Sequence, residues 1–345
     1  MSHPAPPRRP RPRTVLAMSG ETRAAVLPPE ALDRIARVAD LVPGLLVTDF
    51  AADDPLQRAE LRDAEVLVTG WGCPRLDPAA LTAMPRLRAV IHAAGSVKHH
   101  ITKDVWDRGI AVSTAATANA LPVAEYTVAA ILLSNKRVLE SARLYREERS
   151  RVNLLARFPD VGNYRRTVGI VGASRIGRRV VELLRPYDLR VLLHDPYLTE
   201  DAAHALGAEP AGLDALVSRS DVVSIHAPEL PSTRHLFDAP RLARMRDGAT
   251  LINTARGSLI DTDALVKEVA TGRLDAVLDH TDPEVLPPDS PLYDLPNVLL
   301  TPHIAGSQGN ELHRLADAAA DELERYADGL PFAHPVDPST LHQQA

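Results

Sequence analysis

Residues 167–195 read TVGIVGASRIGRRVVELLRPYDLRVLLHD. A β-branched run, TVGIV, meets a glycine turn, a stretch with apolar positions at helical spacing follows, and a second run, LRVLLHD, ends on an acidic residue. Strand, tight turn, helix and strand make the unit that opens a doubly wound parallel sheet, and Gly172-Ala-Ser-Arg-Ile-Gly177 stands where such a unit holds a pyrophosphate. Gly172 permits the turn, Gly177 lets helix and strand pack closely, and the amides that open the helix attract an anion. Asp195, roughly 20 residues on, is the residue type that accepts hydrogen bonds from ribose hydroxyls. Ser174 departs from the pattern by replacing the second glycine, so its Cβ must be tolerated, and its hydroxyl is available to a phosphate oxygen. The segment predicts a dinucleotide site selective for NAD over NADP, because Pro196 and Tyr197 offer no guanidinium for a 2′-phosphate.

Outward from this unit the same alternation continues. Strand-like runs ATLINTA, DAVLDH and NVLLT follow DVVSIHAP, and a further set, TVLAM, LLVTDF, AEVLVTG, LRAVIHA and IAVST, precedes the glycine turn. The pattern predicts α/β architecture with two parallel sheets. Between the two sets, one long helix is expected, with Pro122 near its first turn, where a missing N–H costs nothing. ELHRLADAAADELERYADG predicts a last helix ended by Gly329, and if it returns to the first sheet, the first domain is discontinuous. The expected layout is a tail over 1–13, a first domain over 14–121, a dinucleotide domain over 122–307, a returning helix within 308–336 and a second tail over 337–345.

Composition narrows the function. A net charge of -6 with interspersed signs argues against nucleic acid as partner. Aromatics are 4% of residues, so burial must come from aliphatic packing of helices on sheets. The single cysteine, Cys73, has no disulfide partner, which fits a reducing cytoplasm. No apolar run approaches the ~20 residues that span a bilayer, and no membrane is expected as partner. The Pro- and Arg-rich start, with Arg8, Arg9, Arg11 and Arg13, is expected to be a solvated tail.

Three residues carry the expected chemistry. Arg256, after ATLINTA, lies at the carboxyl edge of the sheet, where a guanidinium can hold a carboxylate with two parallel hydrogen bonds and polarise the adjacent carbonyl. His303, after NVLLT, is placed at the same edge as acid in reduction and base in oxidation. Glu284 is placed to accept from the other imidazole nitrogen, which favours imidazolium and fixes the ring; Asp282 is a competing carboxylate two residues away. His99 and His100 are adjacent and not a metal pair, while His92, His194, His226 and His235 lack ligand spacing. No metal is expected, since a nicotinamide carries the hydride.

LINTARGSLID around Arg256, LDHTDPEVLPPDSPLYDLPNV around Glu284 and LLTPHIAGS around His303 resemble the D-2-hydroxyacid dehydrogenases, and HAAGSVKHHI and LPVAEYT extend the resemblance into the first half. The resemblance implies a Rossmann-type NAD-binding domain inserted into a smaller flavodoxin-like substrate domain, an active site in the cleft between them, and a homodimer. It implies hydride transfer between NAD(H) and a 2-hydroxy or 2-keto acid. It also implies a substrate carboxylate held by the backbone of Ala94, Gly95, Ser96 and Val97 together with Arg256, and extends the cofactor site to Arg175, Ile176, Ala227, Pro228, Thr254, Ala255 and Asp279. SRVNLLARFPDVGNYRR resembles the family's dimer arm. The sequence departs from the family where His280 and Thr281 replace its usual apolar residues. Two alternatives remain open: an NAD-binding regulator resembling the corepressors of the same superfamily, and an enzyme acting on a phosphite or phosphonate. The pocket candidates Trp71, His99, His100 and Trp106 have no assigned position.

Overall fold

The computed structural model describes residues 11–341. These form two compact units, one made of 11–119 with 307–341 and the other of 120–306. The first unit is built on five parallel strands: β1 (Arg13–Ala17), β2 (Asp40–Val47), β3 (Val66–Thr69), β4 (Ala89–His92) and β5 (Ala111–Thr114), in the order β2-β1-β3-β4-β5. This is the flavodoxin-like order. Helix Leu312–Ala327 returns to it: Leu315, Ala316, Ala319 and Leu323 are buried in one cluster with Ile35 of helix Pro29–Val38 and with Val66 and Ile91. Glu322 on that helix is buried, and both its carboxylate oxygens accept backbone N–H groups, from Ala333 at 2.9 Å and His334 at 2.6 Å, which offsets the cost of desolvating the charge.

The second unit holds seven parallel strands: β6 (Thr167–Val171), β7 (Arg190–His194), β8 (Glu209–Pro210), β9 (Val222–Ile225), β10 (Thr250–Asn253), β11 (Asp275–Leu278) and β12 (Val298–Leu300). Their order is β12-β11-β10-β9-β6-β7-β8. The chain winds one way from β6 to β8 and then crosses to β9 and winds the other way, which puts a topological switch point between β6 and β9. Every residue of β9 and β10 is buried, as expected of strands covered on both faces. Residues on helix Arg175–Leu184 show why the segment folds this way: Val180, Val181 and Leu184 are buried in one cluster with Val168 and Ile170 of β6.

Several expectations need correction. Arg13 belongs to no tail: it opens β1 opposite Asp40 and ion-pairs with Asp40 and Glu60, while Arg11 donates to the Ala36 carbonyl at 3.1 Å. Arg8 and Arg9 lie outside the described residues. At the other end Val336 N–H donates to Val112 at 2.8 Å and Leu341 packs on the core, so 337–341 is not a free tail. The long helix starts at Ala116, which puts Pro122 inside it, and it stops at Asn135. Arg137 turns left-handed (φ 47°), and a separate helix, Val138–Glu148, follows. Helix Ala116–Asn135 is, by length and composition, apolar enough to cross a membrane, contrary to the expectation that no such segment exists. Its apolar residues have a core to fill: Ala124, Val128 and Ile131 are buried with Val168, Ile170 and Ile252.

Candidate active site

All the expected cofactor and catalytic positions lie in the second unit at carboxyl ends of its strands: 172–177 after β6, Asp195 after β7, Ala227 and Pro228 after β9, Thr254 to Arg256 after β10, Asp279 and Glu284 after β11, His303 after β12. Gly172 has φ +102°, and a Cβ there would lie 2.7 Å from the Ala227 nitrogen; a Cβ on Gly177 would lie 2.0 Å from the Gly172 carbonyl oxygen. Both glycines are therefore sterically required, and the turn they make delivers the chain to the N-terminus of a ten-residue helix. Ser174 caps that helix by accepting the Gly177 N–H at 3.2 Å, with its own hydroxyl proton left to donate. Arg175 is exposed and Ile176 half-buried in the first turn. The Asp195 carboxylate accepts from the Ala173 N–H at 2.7 Å and the Tyr197 N–H at 2.8 Å, which ties the glycine loop to the end of β7. A carboxylate has about four acceptor positions, so ribose hydroxyls can still be received. Steric cradle, helix N-terminus and acidic strand end fit a dinucleotide.

The loops beyond β10, β11 and β12 are held by buried polar side chains. Asn253 donates to the Arg256 carbonyl at 2.8 Å and accepts from the Ala255 N–H at 3.1 Å. Thr254 is buried and shares a hydroxyl hydrogen bond of 3.0 Å with Thr127. Gly257 lets the Arg256 loop approach the next one: a Cβ there would stand 2.0 Å from the Thr281 backbone. Asp279 is 2% exposed, and both its oxygens are engaged, one by the Thr301 hydroxyl at 2.6 Å and the Ile304 N–H at 2.8 Å, the other by the Ala305 N–H at 2.8 Å. Its backbone carbonyl accepts the His303 N–H at 3.1 Å. The carboxylate assigned by resemblance to the cofactor thus faces inward and fixes the His303 loop. Asn253, Gly257 and this second task of Asp279 escape sequence reasoning, since nothing in their spacing shows what they touch.

His303, at φ 55°, presents Nδ1 to Glu284 Oε1 at 2.8 Å. An ionised carboxylate only accepts, so Nδ1 carries the hydrogen. This hydrogen bond, followed by the charge of His303, holds the Glu284 carboxyl below its usual range. Asp282 takes no part: it ion-pairs with Arg234 at 3.4 Å. The Arg256 guanidinium is half-buried, donates to the Ala255 carbonyl at 2.6 Å, and stands close enough for its charge to act on both Glu284 and His280. His280 is buried against His303, ring centroids 3.8 Å apart, and burial first, then the neighbouring charges, pulls its imidazole down to about 4.

The loop 94–97 belongs to the first unit. Ala94 and Val97 are buried and Gly95 and Ser96 half-exposed; the Thr114 hydroxyl donates to the carbonyls of Ala94 and Gly95. Of the pocket candidates, His100 is buried beside His92 and Thr69, Trp106 packs on the core, and His99 and Trp71 are exposed.

A family model described as the NAD-binding domain of D-isomer specific 2-hydroxyacid dehydrogenases matches residues 128–305. This chain belongs to that family. It is 33% identical to a glyoxylate reductase of Korarchaeum cryptofilum over 273 residues, 78% of this chain and 81% of the relative. It is 29% identical to a D-3-phosphoglycerate dehydrogenase of Methanocaldococcus jannaschii, matching 82% of this chain and 53% of that longer protein. A crystal structure of D-lactate dehydrogenase from Aquifex aeolicus, complexed with NAD and lactic acid, aligns with TM-score 0.67 and 26% identity over 92% of this chain and 96% of the other. As a member of the family the chain is an NAD-dependent hydroxyacid oxidoreductase, and its second unit is the NAD-binding domain.

Proposed function

We propose that the protein reversibly reduces a small 2-keto acid of the kind its relatives named glyoxylate reductase and D-lactate dehydrogenase act on, with Arg256, Glu284 and His303 as its catalytic residues. The observation that carries the reading is the 2.8 Å hydrogen bond from His303 Nδ1 to Glu284, in reach of the charge of Arg256, at the edge of the NAD-binding sheet where open α/β sheets receive ligands. The nicotinamide supplies or receives the hydride when bound. Arg256 holds the acid's carboxylate and polarises its carbonyl. With Nδ1 held by Glu284, Nε2 of His303 is the nitrogen left to give a proton to the carbonyl oxygen in reduction and to take it back in oxidation. Glu284 stabilises the imidazolium and fixes the ring. Gly172, Ser174, Arg175, Ile176 and Gly177 hold the pyrophosphate, Asp195 the ribose, and Ala227, Pro228, Thr254 and Ala255 line the remainder of the cofactor site, while Asp279 acts through the His303 loop. The amides of 94–97 are assigned to the substrate carboxylate.

The partner is a second copy of the chain. Leu133, Leu139, Tyr145, Leu155 and Tyr164 are exposed within one stretch of the chain, Leu155 at 85%, and a second copy would cover them. A cytoplasmic location is part of the same reading, resting on the lone Cys73. Oxidation of NADH against glyoxylate, hydroxypyruvate and pyruvate tests the activity: turnover with at least one supports it, and none with any 2-keto acid overturns it. Light scattering on the eluting protein tests the dimer.

A further inference from the structure

His280, Glu284 and His303 each place one ligand atom within 4.8 Å of the other two. The atoms come from different loops: His280 and Glu284 flank the turn after β11, and His303 follows β12. The turn is closed from within, since the Thr281 hydroxyl donates to the carbonyls of Pro283 at 2.8 Å and Glu284 at 3.1 Å, which sets His280 and Glu284 on either side of the same bend. His280 is buried at the back of the group, and Glu284 and His303 are open to solvent. Asp282, the other nearby carboxylate, is engaged by Arg234.

We propose that these three side chains form a binding site for a borderline divalent transition-metal ion, Zn²⁺ or Co²⁺, and that occupancy switches the dehydrogenase off. Two imidazoles and a carboxylate are the donor set of three-ligand zinc sites that keep a fourth position open. Metal bonds of ~2.0–2.2 Å put tetrahedral donors roughly 3.4 Å apart, inside the 4.8 Å that bounds this group, and the exposed side chains of His303 and Glu284 can turn to that spacing by giving up their mutual hydrogen bond. Nitrogen donors disfavour Mg²⁺ and Ca²⁺, which take oxygen. The charge of Arg256 acts on both His280 and Glu284, so binding weaker than in a closed structural zinc site, and reversible by a chelator, is expected.

The consequence for His303 is the same whichever nitrogen the metal takes. Bound at Nδ1, the ion takes the place of the proton there, which leaves to solvent, and the ring's one remaining hydrogen sits on Nε2; that N–H belongs to a neutral imidazole, a far weaker acid than imidazolium, and the nitrogen has no lone pair to accept a proton. Bound at Nε2, the ion consumes the lone pair directly. Proton transfer stops in both cases. This inhibitory half rests on the role proposed for His303; the binding half rests on ligand geometry alone.

The test separates the two halves. The metal-free full-length protein is titrated with Co²⁺, following the visible absorption of the bound ion and its loss on competition with Zn²⁺. His280→Phe should weaken binding by at least ~10–100-fold, the loss seen even for groups that merely support a metal ligand. Glu284→Gln, at an exposed position, provides the same test should His280→Phe not fold. Absence of the absorption in wild type, or wild-type affinity in a folded variant, overturns the site. Zn²⁺ should stop NADH oxidation by wild type and EDTA restore it, while His280→Phe, measured against its own metal-free rate, stays insensitive. Cobalt absorption with undiminished turnover overturns the inhibitory half, and metal binding by a protein that reduces no 2-keto acid counts against the proposed reaction and not against the site.

Discussion

The loop after β4 and the loops after β10, β11 and β12 are made the same way, at carboxyl ends of parallel strands and clamped by polar side chains, yet they expose different things. In the first unit, Thr114 clamps the carbonyls of Ala94 and Gly95, the flanking side chains are buried, and what remains outside is mostly backbone. In the second, Asn253 and Asp279 clamp the backbone, and what remains outside is the side chains of Arg256, Glu284 and His303. A loop that works through side chains fails when one is deleted. A loop that works through amides is harmed only by what crowds it.

The largest expected effect tests the side-chain half of the comparison. His303→Ala should lose about 10²–10⁴-fold in turnover, the usual worth of a general acid–base group, with NADH binding by fluorescence titration kept. Near-normal turnover would remove His303 from the mechanism.

Next is Gly257→Ala, where a Cβ would stand 2.0 Å from the Thr281 backbone. Backbone cannot swing aside as a side chain does, so a loss of ~1–3 kcal/mol in denaturant unfolding is expected, together with lost activity as the two loops part. An undisturbed variant would mean that the loops do not pack as described.

Asp195→Ala should narrow the preference for NAD over NADP by about tenfold, corresponding to ~1.4 kcal/mol of like-charge repulsion removed from a 2′-phosphate. The ratio of kcat/KM values is the readout, since the loop bond to Ala173 is lost toward both cofactors alike. Equal use of the two by wild type would instead point to a basic group that receives the phosphate.

Acid should affect both units, because each buries histidines that burial keeps neutral: His92 well below its ordinary range and His100 near 4 in the first, His226 near 3 and His280 near 4 in the second. Their folded values lie below the unfolded 6.5, so the unfolded chain binds more protons between those limits, and stability falls as pH falls from about 6.5 toward 4. Each histidine contributes a slope of at most ~1.4 kcal/mol per pH unit, to be read from urea melts at pH 7, 6 and 5. His100→Phe should flatten that slope; an unchanged slope would show that His100 protonates as easily folded as unfolded.

The smallest effect is that of Gly95→Ala, the counterpart of Gly257→Ala. Its Cβ would meet only the Asn119 amide nitrogen at 3.3 Å, the end of a side chain that can move. Stability should change by less than ~0.5 kcal/mol. If the amides of 94–97 hold the substrate, KM for the keto acid should still rise, and an unchanged KM would put substrate elsewhere.

The architecture was largely legible in the sequence because strand runs and glycine turns are local signals. The two-residue strand β8 is too short to leave one, and the left-handed break at Arg137 carries no glycine to announce it. Pro122 misleads for a physical reason: its favoured place in a first turn is a preference, and here the helix extends six residues before it. At the site, residue types and strand ends point to Arg256, Glu284 and His303, but the choice between Glu284 and Asp282 depends on Arg234, far away in sequence. The facing of His280 and His303 is likewise invisible until β11 and β12 are set side by side.

Asp279 suggests how such a site can be altered. Because the backbone around His303 hangs from Asp279, through its buried carboxylate and its carbonyl, and the turn 280–284 reaches the histidine only through side chains, residues 280–283 behave as an exchangeable part. A designer, or a lineage under selection, can rewrite residues 280–283 and alter what surrounds the histidine while its place is kept, but a change at 279 moves the histidine itself.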